Sequence, residues 1–78
     1  MTERHLRYGI VGCGMMGREH IRNINLLDNA SIAAILEPDA DMRSKAKKLA
    51  PDATFVEDVS AMTQRDDIDA LVIASPNH

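Results

Sequence analysis

Three glycines near the amino terminus have the spacing of a phosphate-binding turn. Gly12, Gly14 and Gly17 form the pattern G-x-G-x-x-G, with Met15 and Met16 between the last two. The pattern follows a short apolar run and precedes residues with helical spacing, which is the context that makes it informative. The first glycine permits a tight turn, the second lets the backbone approach a diphosphate, and the third lets the helix pack against the strand.

The chemistry expected of this turn belongs to the backbone. The peptide N–H groups of Met15, Met16 and Gly17 would point out of the start of the following helix. The helix dipole adds roughly half a positive charge at the same place, so a diphosphate would find donors and a favourable field together. The alternative is that the glycines serve only a sharp strand-to-helix turn.

A single acid has the position expected of a ribose ligand. Glu37 follows the second apolar run and lies 37 − 17 = 20 residues beyond the last glycine of the motif, as in dinucleotide-binding folds. Its carboxylate could accept hydrogen bonds from both adenosine-ribose hydroxyls. A 2′-phosphate about 4 Å away would be repelled by roughly 4 kcal/mol at an effective dielectric of about 20. Because Asp39 adds to this repulsion, the sequence predicts NAD rather than NADP; the alternative is a solvated glutamate before Pro38.

A polar segment follows the fourth apolar run. Ser75, Pro76 and Asn77 come directly after it, at the edge of the predicted sheet where the strand order reverses and ligands bind. The serine hydroxyl and the asparagine amide could therefore reach a dinucleotide. An ordinary Pro-Asn turn that closes a strand is an equally good interpretation.

A fold in which strands and helices alternate along the chain would bring these candidate residues together. Apolar runs without polar alternation predict strands covered on both faces, which is typical of parallel sheets. Right-handed crossovers then give the strand order 3-2-1-4, half of a Rossmann-type α/β fold with helices on both faces. The predicted strands are residues 8–11, 31–36, 54–56 and 70–74; the predicted helices are residues 16–27, a helix capped by Asp39 and ended by Pro51, and residues 59–64 capped by Asp58.

Composition narrows the function classes. The chain has 78 residues, enough for one small domain, and its 45% apolar but only 3% aromatic content predicts an aliphatic core. The net charge of −3, without a basic stripe, argues against nucleic acid as a partner. We find no secretory signal and no stretch of about 18 apolar residues. One cysteine cannot form an internal disulfide, so we expect a cytoplasmic protein and no membrane partner.

Two long runs resemble one family of oxidoreductases. Residues 8–17 with Arg18 and His20, and residues 67–78, resemble the glucose–fructose oxidoreductase, inositol dehydrogenase and rhizopine catabolism family (Gfo/Idh/MocA). The glycine pattern is shared with many dinucleotide binders, whereas the second run is more particular. The resemblance extends from about residue 6 to residue 78.

The resemblance implies a two-domain, NAD(P)-dependent oxidoreductase. In that family an amino-terminal Rossmann domain precedes a substrate domain, and sugars, inositols or related polyols are oxidised by hydride transfer. Glu37 takes the place of the family's ribose-binding acid, which is more often Asp. By this resemblance the backbone of the glycine turn would hold the pyrophosphate, and the last polar segment would line the dinucleotide groove. The residues of the turn are Gly12, Gly14, Met15, Met16 and Gly17, and those of the groove are Ser75, Pro76 and Asn77.

The resemblance also limits what the chain can do by itself. The family's catalytic lysine lies in a Glu-Lys-Pro motif, which does not occur in these residues. We therefore assign no catalytic residue and no metal ligand. Residues 1–78 are expected to be the amino-terminal part of a dinucleotide-binding domain, inactive without a substrate domain, in a homo-oligomeric parent. The alternative is a non-catalytic module that binds NAD or adenine nucleotides.

Two further expectations concern single positions. Arg18 follows the last glycine of the motif and is either a phosphate contact or a solvated arginine. Residues 71–73 should form an unprotected apolar edge of the sheet, which is an aggregation hazard.

Overall fold

Strands and helices alternate along the whole described chain. The computed structural model describes residues 5–12 and 15–74, without the side chains of Met15 and Met16. No helix in these ranges has the length and apolar character needed to cross a bilayer. The elements are β1 (Leu6–Val11), α1 (Met15–Asn25), β2 (Ala30–Leu36), α2 (Ala40–Leu49), β3 (Thr54–Val56), α3 (Val59–Thr63) and β4 (Ala70–Ile73).

The four strands form one parallel sheet. Their order is β3-β2-β1-β4, which confirms the predicted 3-2-1-4 arrangement of an α/β Rossmann-like fold. Val11, at the end of β1, pairs with Leu36 in β2 and with Ile73 in β4. The carboxyl ends of the three strands therefore meet at one edge, where ligands of open α/β sheets bind.

A register shift in β2 lets the apolar run fill the core. Tyr8 pairs with Ile32, but the next residue, Gly9, pairs with Ala34, so one residue of β2 is unmatched. Side chains three positions apart would otherwise lie on opposite faces of a strand. Because of the shift, Ile32 and Ile35 both enter the same buried cluster.

The larger core lies between the sheet and two helices. It consists of isoleucines from β1, β2 and α1 with alanines from and after α2, consistent with the predicted aliphatic core. As the helical spacing indicated, Ala46 is fully buried and Met42 and Leu49 pack beside it. The buried members are Ile10, Ile21, Ile24, Ile32, Ile35, Ala46 and Ala50.

The opposite face of β1 is covered by α3 at very short range. A Cβ atom placed on Gly9 would lie 2.7 Å from Met62 Sδ, 2.9 Å from Leu71 Cδ2 and 3.0 Å from Ile68 Cδ1. Met62 is fully buried in this contact. The absence of a side chain at Gly9 is therefore what allows a five-residue helix to pack on the sheet.

Both predicted amino-terminal caps are confirmed. The Asp39 side chain accepts hydrogen bonds from the N–H groups of Asp41 (2.8 Å) and Met42 (3.4 Å) at the start of α2. Asp58 accepts one from Ala61 N–H (2.7 Å) at the start of α3. Caps of this type typically stabilise a helix by about 1 kcal/mol.

The predicted end of the first helix was wrong by two residues. α1 ends at Asn25, and Leu26 and Leu27 form a tighter turn in which their N–H groups donate to the carbonyls of Asn23 and Ile24. Asn25 Nδ2 donates to Leu49 O at 2.8 Å, so the last residue of α1 is bonded to the end of α2. Leu26 is 81% exposed and does not join the core face on which the prediction rested.

Candidate cofactor site

The first glycine of the motif turns the chain away from the sheet. Gly12 has a φ of 87°, in the left-handed region that side chains disfavour. Its N–H donates to Leu36 O at 2.8 Å, which joins the ends of β1 and β2. Gly12 thus supplies the turn, and its own N–H is already used.

The helix that follows presents its amino terminus to the same edge. α1 begins at Met15 and has no acidic residue in its first turn. The first N–H groups of a helix lack partners within it and attract anions. Gly17 is buried, in agreement with its predicted role in close packing. Gly14, between the turn and the helix, lies outside the described residues.

The predicted ribose acid stands at the adjoining strand end. Glu37 directly follows Leu36, the residue whose carbonyl accepts the Gly12 N–H. Its side chain is partly buried, and Oε2 accepts a hydrogen bond from Asp39 N–H at 3.0 Å. The acid is therefore held one residue from the contact that closes the glycine turn.

The last predicted segment lies outside the described residues, but the strand before it does not. Ser75, Pro76 and Asn77 follow β4, whose last residue, Ile73, pairs with Val11. Ala74 N–H donates to Val11 O at 2.8 Å. The chain consequently leaves β4 at the edge that also carries Gly12 and Glu37.

One buried polar atom near this edge lacks a partner. The Nε of Arg18 is shielded from solvent and has no hydrogen-bond partner, although Arg18 as a whole is only partly buried. Buried guanidinium nitrogens are nearly always bonded. The sequence indicates Arg18 as either a phosphate contact or a solvated arginine. Only the tertiary structure shows that its Nε is buried without an acceptor.

The pronounced charge interactions lie at the opposite edge. Arg7 pairs with Asp69, just before β4, and Arg65 Nη2 lies 2.6 Å from Asp67 Oδ2. The hydrogen bond from Arg65 holds the pKa of the Asp67 carboxyl below its usual value. Neither pair is predicted by a pattern in the sequence. The Arg7–Asp69 pair joins the amino ends of β1 and β4, and the Arg65–Asp67 pair lies in the loop before β4; because both are away from the glycine turn, we interpret them as structural.

The chemical groups at the carboxyl edge of the sheet suit a dinucleotide. It combines a left-handed glycine turn, a helix start free of acids and a carboxylate beside the turn. Backbone donors suit a diphosphate, and a carboxylate suits ribose hydroxyls. Among residues 5–12 and 15–74 no group of three or more metal-binding side chains occurs.

Comparison with known proteins identifies the family. Residues 6–78 match the Gfo/Idh/MocA family, described as an oxidoreductase family with an NAD-binding Rossmann fold. The chain belongs to this family. The resemblance deduced from the two sequence runs is thereby confirmed, and the relatives of this family member are oxidoreductases.

Related proteins align with nearly the whole of this chain. Inositol 2-dehydrogenase of Corynebacterium glutamicum (strain R) is 40% identical over 74 residues, which are 94% of this chain and 22% of the relative. The myo-inositol dehydrogenase of Lactobacillus casei, solved in complex with NAD(H) and myo-inositol, has a TM-score of 0.80 at 32% identity, covering 91% of this chain and 22% of that one.

A third similar protein binds a sugar nucleotide. The WlbA dehydrogenase of Bordetella pertussis, in complex with NADH and UDP-GlcNAcA, has a TM-score of 0.81 at 31% identity, covering 97% of this chain and 22% of that one. The chain thus spans about a fifth of the length of the proteins it matches. An NAD-binding Rossmann fold is common to the family.

Proposed function

We propose that the chain is the cofactor-binding, amino-terminal segment of an NAD-dependent oxidoreductase acting on a sugar, an inositol or a related polyol. The bound nicotinamide would supply the hydride acceptor. A substrate domain outside these 78 residues would hold the alcohol and provide the acid–base groups. Membership of the family and relatives that act on inositol support the proposal.

One contact carries the cofactor assignment. The Gly12 N–H donates to Leu36 O, and Glu37 follows immediately. This contact holds the glycine turn next to Glu37 at neighbouring strand ends, and that arrangement supports binding of a molecule with a diphosphate next to a ribose. Neither feature alone distinguishes a dinucleotide from another anion.

The residues have separable roles in this proposal. Glu37 accepts hydrogen bonds from the two hydroxyls of the adenosine ribose. Gly12 makes the turn, and the segment after β4 lines the groove where the dinucleotide crosses the sheet edge. Backbone N–H groups of Gly14, Met15, Met16 and Gly17 bind the pyrophosphate; Ser75, Pro76 and Asn77 are the lining residues.

The preference for NAD over NADP follows from charge. Glu37 and Asp39 lie two residues apart after β2, and the Asp39 N–H orients the Glu37 carboxylate. A 2′-phosphate placed on the ribose would meet both acids. At an effective dielectric of about 20, one such contact near 4 Å costs roughly 4 kcal/mol.

Calorimetric titration with NAD and NADP tests the assignment. We expect NAD to bind more tightly than NADP. Glu37→Gln should weaken the binding of NAD and narrow the difference between the affinities for NAD and NADP. The matched control is Glu57→Gln, because exposed Glu57 follows β3 as Glu37 follows β2. NADP binding more tightly than NAD, or equal losses in both variants, would refute the roles given to Glu37.

The catalytic part of the proposal requires a separate test. The gene should encode a Glu-Lys-Pro motif and a second domain after His78, and the complete product should reduce NAD with an inositol or a sugar. A gene without them, whose product still binds NAD, would favour a non-catalytic nucleotide-binding module.

A further inference from the structure

Arg18 has a donor that nothing in the described chain uses. Its Nε is buried without a hydrogen-bond partner. The ion pairs that arginines form within residues 5–12 and 15–74 involve Arg7, Arg22 and Arg65. Shielding a guanidinium N–H from water without an acceptor is unfavourable. An acceptor that arrives with a ligand would remove this cost.

The contacts of α1 establish which side of the helix carries Arg18. Asn25 lies seven residues later, so both side chains leave the helix in nearly the same direction at 3.6 residues per turn. Asn25 donates to Leu49 O at the end of α2. Arg18 therefore lies on the side of α1 that faces α2, about two turns nearer the start of the helix.

The direction of the strands then places Arg18 near the candidate site. Both α1 and α2 connect parallel strands, so they run in the same sense and begin at the carboxyl edge of the sheet. Helical side chains lean toward the helix amino terminus. The guanidinium thus extends toward the edge that holds the Gly12 turn and Glu37, on the side of Glu37.

The acids at this edge are engaged by backbone donors. Asp39 caps α2, and Glu37 accepts the Asp39 N–H. The acidic first turn of α2 also contains Asp41. Arg18 faces this corner and has no ion pair with any residue that the structure describes, so it is suited to a second anion. A guanidinium binds phosphate through several parallel N–H groups.

We propose that Arg18 is a phosphate-binding residue that donates to the 5′-diphosphate of the dinucleotide on its adenosine side. It adds a side-chain contact to those from the amides of the glycine turn. This inference rests on the proposed function, because it requires that a dinucleotide binds at this edge. A 2′-phosphate has the same chemistry, so the test must separate the two phosphate positions.

The test compares variants of one helix by calorimetric titration. Arg18→Gln and the control Arg22→Gln are titrated with NAD, ADP, 2′-AMP and adenosine. Arg22 is exposed on the same helix and pairs with Glu19. We expect Arg18→Gln to weaken NAD and ADP about tenfold, as for loss of a charged hydrogen bond. Adenosine should bind unchanged, and Arg22→Gln should behave as the unmodified chain.

The outcomes separate this inference from the proposed function. An unmodified chain that binds neither NAD nor ADP overturns both. If it binds them and Arg18→Gln binds them equally well, only the Arg18 assignment fails. If Arg18→Gln weakens the binding of adenosine and ADP equally, Arg18 has a structural role and the phosphate assignment is overturned. A loss of affinity for 2′-AMP alone also overturns the assignment.

A second variant keeps the test decisive if Arg18→Gln does not fold. Circular dichroism and thermal unfolding establish folding for each variant. Arg18→Lys keeps the charge but lacks Nε and the planar fork. It should weaken ADP about threefold relative to adenosine. An unchanged ratio of ADP to adenosine affinity in folded Arg18→Lys would then overturn the assignment.

Discussion

Arg7 and Asp69 are joined through both backbone and side chains across 62 residues of sequence. Asp69 N–H donates to Arg7 O at 2.7 Å, and Asp69 Oδ2 accepts from Arg7 N–H at 2.8 Å and from Arg7 Nε at 3.2 Å. The pair thus sets β4 against β1 one residue before β4 begins. The position of β4 in turn determines where the polar segment after it leaves the sheet.

Removing the Asp69 carboxylate should loosen β4. We expect Asp69→Ala to lower the free energy of unfolding more than Asp69→Asn, because the amide oxygen can still accept the Arg7 N–H. Asp66→Ala, an exposed neighbour, is the control and should have little effect. Urea denaturation measures the ranking. If the two Asp69 variants were equally stable, the ion pair between the Arg7 and Asp69 side chains would account for the effect, and the hydrogen bond from the Arg7 backbone N–H to the carboxylate would not.

Adding one methyl group at Gly9 should be costly. The Cβ of Gly9→Ala would lie 2.7 Å from Met62 Sδ and 2.9 Å from Leu71 Cδ2. Overpacking of this kind destabilises by about 1–3 kcal/mol. Denaturant unfolding of Gly9→Ala, Met62→Ala and the double variant should show non-additive losses, because the smaller side chain removes the clash. Additive effects would contradict close packing of α3 on β1.

Acid should weaken the contribution of Asp67. Arg65 lowers the pKa of this carboxyl in the folded chain. The pair is therefore fully stabilising above the ordinary aspartate pKa of about 3.9 and loses its effect as the pH falls through the lower folded value. Asp67→Asn should destabilise at pH 7 and converge with the unmodified chain as the pH falls below the lowered folded pKa of Asp67.

Thermal unfolding over that pH range measures the convergence, with Asp66→Asn as a control that lacks the Arg65 hydrogen bond. A stability difference between Asp67→Asn and the unmodified chain that stays constant from pH 7 down to strong acid would exclude the ion pair as its cause.

The outer edge of β4 should promote self-association. Within residues 5–12 and 15–74, β4 pairs with β1 alone, and Ile73 and Leu71 are 68% and 42% exposed. Open apolar edges pair with other chains. We expect Ile73→Lys to reduce concentration-dependent light scattering and to change stability by less than about 0.5 kcal/mol. Leu26→Lys replaces a more exposed leucine away from any strand edge. Equal improvement in both variants would attribute association to general hydrophobicity.

Much of the candidate site was predictable because its signals are local. A glycine pattern after an apolar run predicts a turn, and the position of an acid along the next strand end follows from the length of one helix and one strand. The structure puts Gly12 in a left-handed turn, buries Gly17 and places Glu37 directly after β2, but the cofactor-binding roles of these residues stay predictions. Gly14, Ser75, Pro76 and Asn77 lie outside the described residues, so their roles stay predictions.

By itself the sequence determined the element order, the caps at Asp39 and Asp58, and the parallel sheet, because periodicity and capping depend on neighbours a few positions away. Only the tertiary structure decided which face each side chain meets. The register shift that aligns Ile32 with Ile35, the contact of α3 with Gly9 and the side of α1 that carries Arg18 all depend on residues distant in sequence. Such contacts form only when whole elements pack, so no local pattern encodes them.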